Sequence, residues 1–92
     1  MNAVKDEDVL RPAEALDIYN AETLQPRLAE FINSRLTPWL DLQGVSACDT
    51  AGAQLLWSAA KSAANDGKKL QFKNVPAVVQ EACHRLGLPE LF

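Results

Sequence analysis

The chain is predicted to be an α/β domain. It has a mixed, mainly parallel sheet of about four strands, with helices packed mainly on one face. Three observations predict this. Short apolar runs, one after Pro38 and one around Leu70–Phe72, have the length and bounds of strands. Longer runs carry apolar residues at three- and four-residue spacing, the period of a helix. The two kinds alternate along the chain, an order that gives parallel strands joined by helical crossovers. At 92 residues the chain suits a single domain, placed at 9–92 behind a frayed polar stretch at 1–8.

Val9–Leu10 and Leu16–Ile18 are apolar and broken by Pro12, which cannot donate to a ladder. They are expected to form a small antiparallel element turning near Pro12–Glu14. The first helix begins at Asn20 or Thr23, and Leu24, Leu28, Phe31 and Ile32 fall on one of its faces. With Asn20 as cap, Pro26 sits in the second turn and costs a hydrogen bond. With Thr23 as cap, it lies harmlessly in the first. The helix ends near Arg35, because Pro38 disfavours helix at Thr37. Trp39–Leu42 is the central strand, with Asp41 its only charge. Gln43–Cys48 is a loop. A helix then runs from Ala51 to about Asn65, with Leu55, Leu56, Ala59, Ala60 and Ala63 on its apolar face, and Asp66-Gly67 stops it. Leu70 and Phe72 alternate with polar residues in a half-exposed strand. A third helix after Pro76 buries Val78, Val79, Ala82 and Leu86, and Gly87 caps its end. Leu88, Pro89, Leu91 and Phe92 form an apolar tail expected to dock on the core.

The totals narrow the function. The net charge is −3 and the nine Lys and Arg residues are scattered, so a clustered basic face for nucleic acid is missing. No apolar run approaches the length of a membrane span, and the acidic N-terminus does not resemble a secretory signal, so a cytoplasmic location is expected. The two cysteines, Cys48 and Cys83, and the single His84 have no metal-ligand spacing. No metal or cofactor is expected. The four glycines form no phosphate loop, and no nucleophile–His–Asp arrangement stands out. An enzyme is therefore not expected.

The informative stretch is Trp39–Gly52. Its end, Asp49-Thr50-Ala51-Gly52, opens the long alanine-rich helix. The plain reading is that Asp49 or Thr50 caps the helix and Gly52 allows close packing. The functional reading starts from the same place. A helix N-terminus gathers unpaired N–H groups and partial positive charge, which suits a group that can become negative. The Thr50 hydroxyl, carrying a phosphate, would be such a group. Thr50, Ala53, Gln54, Trp57 and Lys61 share one side of the helix, away from most of its aliphatic face. Trp57 there either meets a partner or lies under a loop or the C-terminal tail.

Leu40-Asp41-Leu42-Gln43-Gly44-Val45, then Asp49-Thr50-Ala51-Gly52, then Leu55-Leu56, resembles the STAS domain family of sulfate transporters and anti-sigma-factor antagonists. Leu16-Asp17-Ile18-Tyr19-Asn20-Ala21 is similar to the family's opening strand-to-helix step. Lys68-Lys69-Leu70 and Arg85-Leu86-Gly87-Leu88 are similar to its last strand and closing helix. The chain departs from the pattern at Ala53, where Leu is usual, and at Ala47-Cys48, where bulkier apolar residues are usual. The resemblance implies a non-catalytic regulatory module whose partner binding is switched by phosphorylation of Thr50, with Asp49 beside it. Asp49, Thr50, Gln54, Trp57 and Lys61 would then face the partner. That partner would be a serine/threonine kinase that also acts as an anti-sigma factor. Alternatively, the chain would be a cytoplasmic STAS subunit docking on the ATPase of an ABC-type lipid transporter, or an accessory protein of a chemotaxis system.

Overall fold

The computed structural model describes residues 5–88. Strand β2 (Trp39–Asp41) lies between β1 (Val9–Leu10) and β3 (Gln71–Lys73), and both pairings are parallel. The register sets Leu10, Leu40 and Phe72 in one row and Val9, Trp39 and Gln71 in the next. Helices α1 (Ile18–Ser34), α2 (Thr50–Asn65) and α3 (Ala77–Arg85) follow the three strands in turn. The architecture is α/β, as the alternation of elements predicts. Among the described residues the sheet has three strands rather than about four, and it is parallel rather than mixed.

The antiparallel element predicted at the N-terminus is absent. Val9–Leu10 adds to the edge of β2, Leu16 makes an isolated parallel bridge to Cys48, and Ile18 is already helical. The reason is Asp17, whose side chain accepts the Asn20 N–H at 2.9 Å and caps α1. The helix thus starts earlier than Asn20 or Thr23, and Pro26 falls in its interior. That position is exposed, so the Glu22 carbonyl, which loses its donor to the proline, can face water. At the other end, Lys68 Nζ donates to the Ile32 and Asn33 carbonyls at 2.7 and 3.0 Å. A cation there satisfies carbonyls that the helix leaves open and complements its dipole.

The core joins Leu24, Leu28, Phe31 and Ile32 of α1, Leu40 and Leu42, Leu55, Leu56, Ala59 and Ala63 of α2, and Leu70. Phe72 is only partly buried against it. In α3 the buried residues are Val79, Ala82 and Cys83, with Leu86 partly buried. Val78, expected on that face, is exposed because it lies one helical step, about 100°, from Val79. Gly67 and Gly87 adopt left-handed φ of 75° and 72°, as helix-terminating glycines do. Asp6–Asp8 form a 3-10 turn, and Arg35 at the end of α1 pairs with Asp8 at 3.6 Å. Leu88 packs against the core, while residues 89–92 of the apolar tail lie outside the described residues. Among the described residues no helix is long and apolar enough to cross a membrane.

Candidate functional site

The stretch from β2 to α2 carries two carboxylates with opposite surroundings. Asp41, at the end of β2, is buried. Its Oδ1 accepts from the Gln43 N–H and from Asn74 Nδ2, both at 3.1 Å, and its Oδ2 accepts from Arg11 Nε at 3.3 Å. Asn74 holds a left-handed φ of 53°, a conformation that Asn tolerates better than most residues. Burial pushes the Asp41 carboxyl up. The Gln43 N–H, the Asn74 amide and the charges of Lys73 and Arg11 outweigh that and hold it below the ordinary value of 3.8.

Asp49 is exposed and works at a helix start. Its Oδ1 accepts the Gly52 N–H at 2.9 Å, which caps α2. Its Oδ2 accepts the Ile18 N–H at 3.3 Å, the first amide of α1. One carboxylate therefore touches the N-termini of two helices. The backbone fixes it there: the Asp49 N–H donates to the Leu16 carbonyl at 3.0 Å, and the Leu16 N–H donates to the Ala47 carbonyl at 2.8 Å. Gly52 is what allows this close approach. A Cβ at that position would fall 2.1 Å from the Leu16 carbonyl oxygen, a backbone atom that cannot step aside.

Thr50 is the first residue of α2. It is exposed, and because Asp49 does the capping, its hydroxyl makes no hydrogen bond to a described residue. Gln54, Trp57 and Lys61 are exposed on the same side of α2. Trp57 is 40% exposed and the Lys61 ammonium lies 4.3 Å from its ring centroid, a cation–π contact along the surface. Ala53, assigned to this side by its angle, is fully buried. It stands at the margin of the face, close to the direction of Leu56.

Two neighbours of this surface were not legible as such. Ile18 and Tyr19, at the start of α1, are 64% and 85% exposed. The Asp49–Ile18 hydrogen bond sets them beside the start of α2. The available signal was Asp17 followed three residues on by Asn20, a cap that turns Ile18 and Tyr19 into first-turn residues. The alternation of Leu16 and Ile18 masked it.

The cysteines are poorly placed for thiol chemistry. Cys83 is buried, and burial pushes its thiol up. Cys48 is half-buried, and burial, the neighbouring Cys83 and Asp49 push it up to about 11. A thiol held in its neutral form is a weak nucleophile. His84, next to Cys83, points to the exposed side of α3. Among the described residues no group of three His, Cys, Asp or Glu side chains could hold a metal ion.

Comparison with curated proteins finds no match to this chain. A family model described as "Mlab, STAS domain" matches residues 2–92. With Asp49-Thr50-Ala51-Gly52 heading α2 after β2 and its loop, and nearly the whole chain matched, the protein belongs to the STAS family.

Proposed function

We propose that this chain is a non-catalytic regulatory binding module, and that phosphorylation of Thr50 switches its grip on a protein partner in the manner of anti-sigma-factor antagonists. The observation that carries this reading is the division of labour at the start of α2. Asp49 caps the helix, so the Thr50 hydroxyl is free for other use. It is presented to solvent where the helix dipole favours added negative charge. A kinase would transfer the terminal phosphoryl group of a nucleoside triphosphate to the Thr50 oxygen, releasing the hydroxyl proton and the nucleoside diphosphate. The product carries about −1.5 to −2 charges and a bulky acceptor group. The fold tolerates this at a helix N-terminus. A partner surface pressed against it does not.

The docking surface in this reading comprises Asp49, Thr50, Gln54, Trp57 and Lys61, extended by Ile18 and Tyr19. Exposed aromatics flanking a hydroxyl suit a protein contact with an apolar centre. The test is the sign of two substitutions measured with the partner that co-purifies with the protein. Thr50→Ala should bind constitutively and Thr50→Glu should bind more weakly. Equal binding by both variants overturns the switch.

Membership of the STAS family also admits a second reading. In it the chain docks on the ATPase of an ABC-type lipid transporter, whose STAS subunits also carry Asp-Thr-Ala-Gly. The hydroxyl then acts by direct contact, and Thr50→Ala weakens binding instead of preserving it.

A further inference from the structure

We propose that Asp49 is a positioning residue that couples charge on Thr50 to the exposed apolar pair Ile18–Tyr19 on the neighbouring helix. A phosphate would then act on two patches of the docking surface at once. The biological use of this coupling rests on the reading of Thr50 given above, but the physical link does not.

The link is one carboxylate shared between two helix starts. Asp49 Oδ1 holds the Gly52 N–H at 2.9 Å, and Oδ2 holds the Ile18 N–H at 3.3 Å. The first amides of a helix have no partner within it. Asp17, the cap of α1, spends its side chain on the Asn20 N–H, so Asp49 is the acceptor that serves Ile18. Thr50 is the next residue in the chain. A negative group on its oxygen repels the Asp49 carboxylate and competes with it for the amides at the start of α2. Of the two Asp49 bonds, the one to Ile18 is longer and solvent-exposed, so it yields first. The rest of the junction does not depend on it. The Leu16–Cys48 bridge, the Asp17 cap and the Asn20 side chain on the Ala15 carbonyl at 2.8 Å keep α1 in place. The consequence is local. The first turn of α1 loosens, and that turn presents Ile18 and Tyr19 to solvent.

The experiment needs neither partner nor kinase. Amide proton shifts and hydrogen exchange at Ile18 and Tyr19 are compared by ¹H–¹⁵N spectroscopy in the wild type, Thr50→Glu, its neutral counterpart Thr50→Gln, and each of these two combined with Asp49→Asn. Asn at position 49 keeps one oxygen to cap Gly52 but removes both the charge and the second acceptor, the one that serves Ile18. The expected result is several-fold faster exchange at Ile18 in Thr50→Glu than in Thr50→Gln. The difference should vanish in the Asp49→Asn background. An Ile18 amide indifferent to Glu at position 50, equally responsive to Gln, or equally responsive with Asn at position 49, overturns the coupling. Should Asp49→Asn fail to fold, the Glu–Gln difference at position 50 still decides. Failure here leaves the docking role of Thr50 standing, because that role is read from partner binding. Failure of the binding test leaves this link standing.

Discussion

Asp41 and Asp49 lie eight positions apart on the same strand–loop–helix connection, and they do different work. Asp41 is buried, and both of its oxygens are satisfied by partners remote in sequence or in the next turn. Asp49 is exposed and satisfies backbone amides at two helix starts. The first carboxylate closes the carboxyl end of the sheet by tying together the chain segments that leave β1, β2 and β3. The second frees its neighbour. By taking over the cap, it leaves Thr50 with a hydroxyl that the fold does not use. The residue fully engaged by its surroundings is structural, and the one presented without a structural task is available to a partner.

The comparison predicts unequal costs. Asp41→Ala should lower stability most, by about 1–3 kcal/mol, because the Asn74 amide, the Gln43 N–H and Arg11 lose their acceptor. Urea denaturation measures it. The same carboxylate predicts an acid dependence. Its folded-state pKa is depressed, so its contribution is present above the ordinary value of 3.8 and is lost as pH falls through the lower folded value. The loss of stability below about pH 4 should be shallower in Asp41→Asn than in the wild type. An unchanged acid slope would place the titrating group elsewhere.

Asp49→Ala should cost less, about 1 kcal/mol, the usual loss of an N-cap. Thr50→Ala, measured alongside, should stay within about 0.5 kcal/mol of the wild type. If the two losses were exchanged, Thr50 would be the cap and the contrast between the two residues would collapse. Trp57→Ala should likewise change stability by no more than about 0.5 kcal/mol, because the ring packs on Lys61 at the surface rather than in the core. Partner binding should fall nonetheless. A variant that simply unfolds would assign Trp57 to the core.

The contrast also marks what the sequence could and could not show. The central strand, the α2 helix and its glycine stop are local features. A run bounded by Pro38, a helical period and Asp66-Gly67 suffice to find them. A cap at Asp49 or Thr50 and Gly52 as a packing glycine were legible for the same reason; which of the two caps was not, and Asp49 proves to be the one. The surroundings of Asp41 were not. Arg11 and Asn74 lie 30 and 33 positions away, and nothing in the local pattern pairs them. The start of α1 was misread because Leu16 and Ile18 alternate like a strand, while the Asp17 cap makes Ile18 helical. Exposure of Ile18 and Tyr19 was hidden too. Apolar residues at a helix start are ordinarily read as core, and only the tertiary position of that turn leaves them open.

On the reading proposed above, the Thr50 hydroxyl is modified rather than structural. The most direct test is intact-mass and fragment analysis of the protein isolated from its own cells, beside a Thr50→Ala variant prepared in the same way. One added phosphate on Thr50 is expected in the wild type and none in the variant. Phosphate on Ser46, Ser58 or Thr23, or no phosphate under any growth condition, would contradict it.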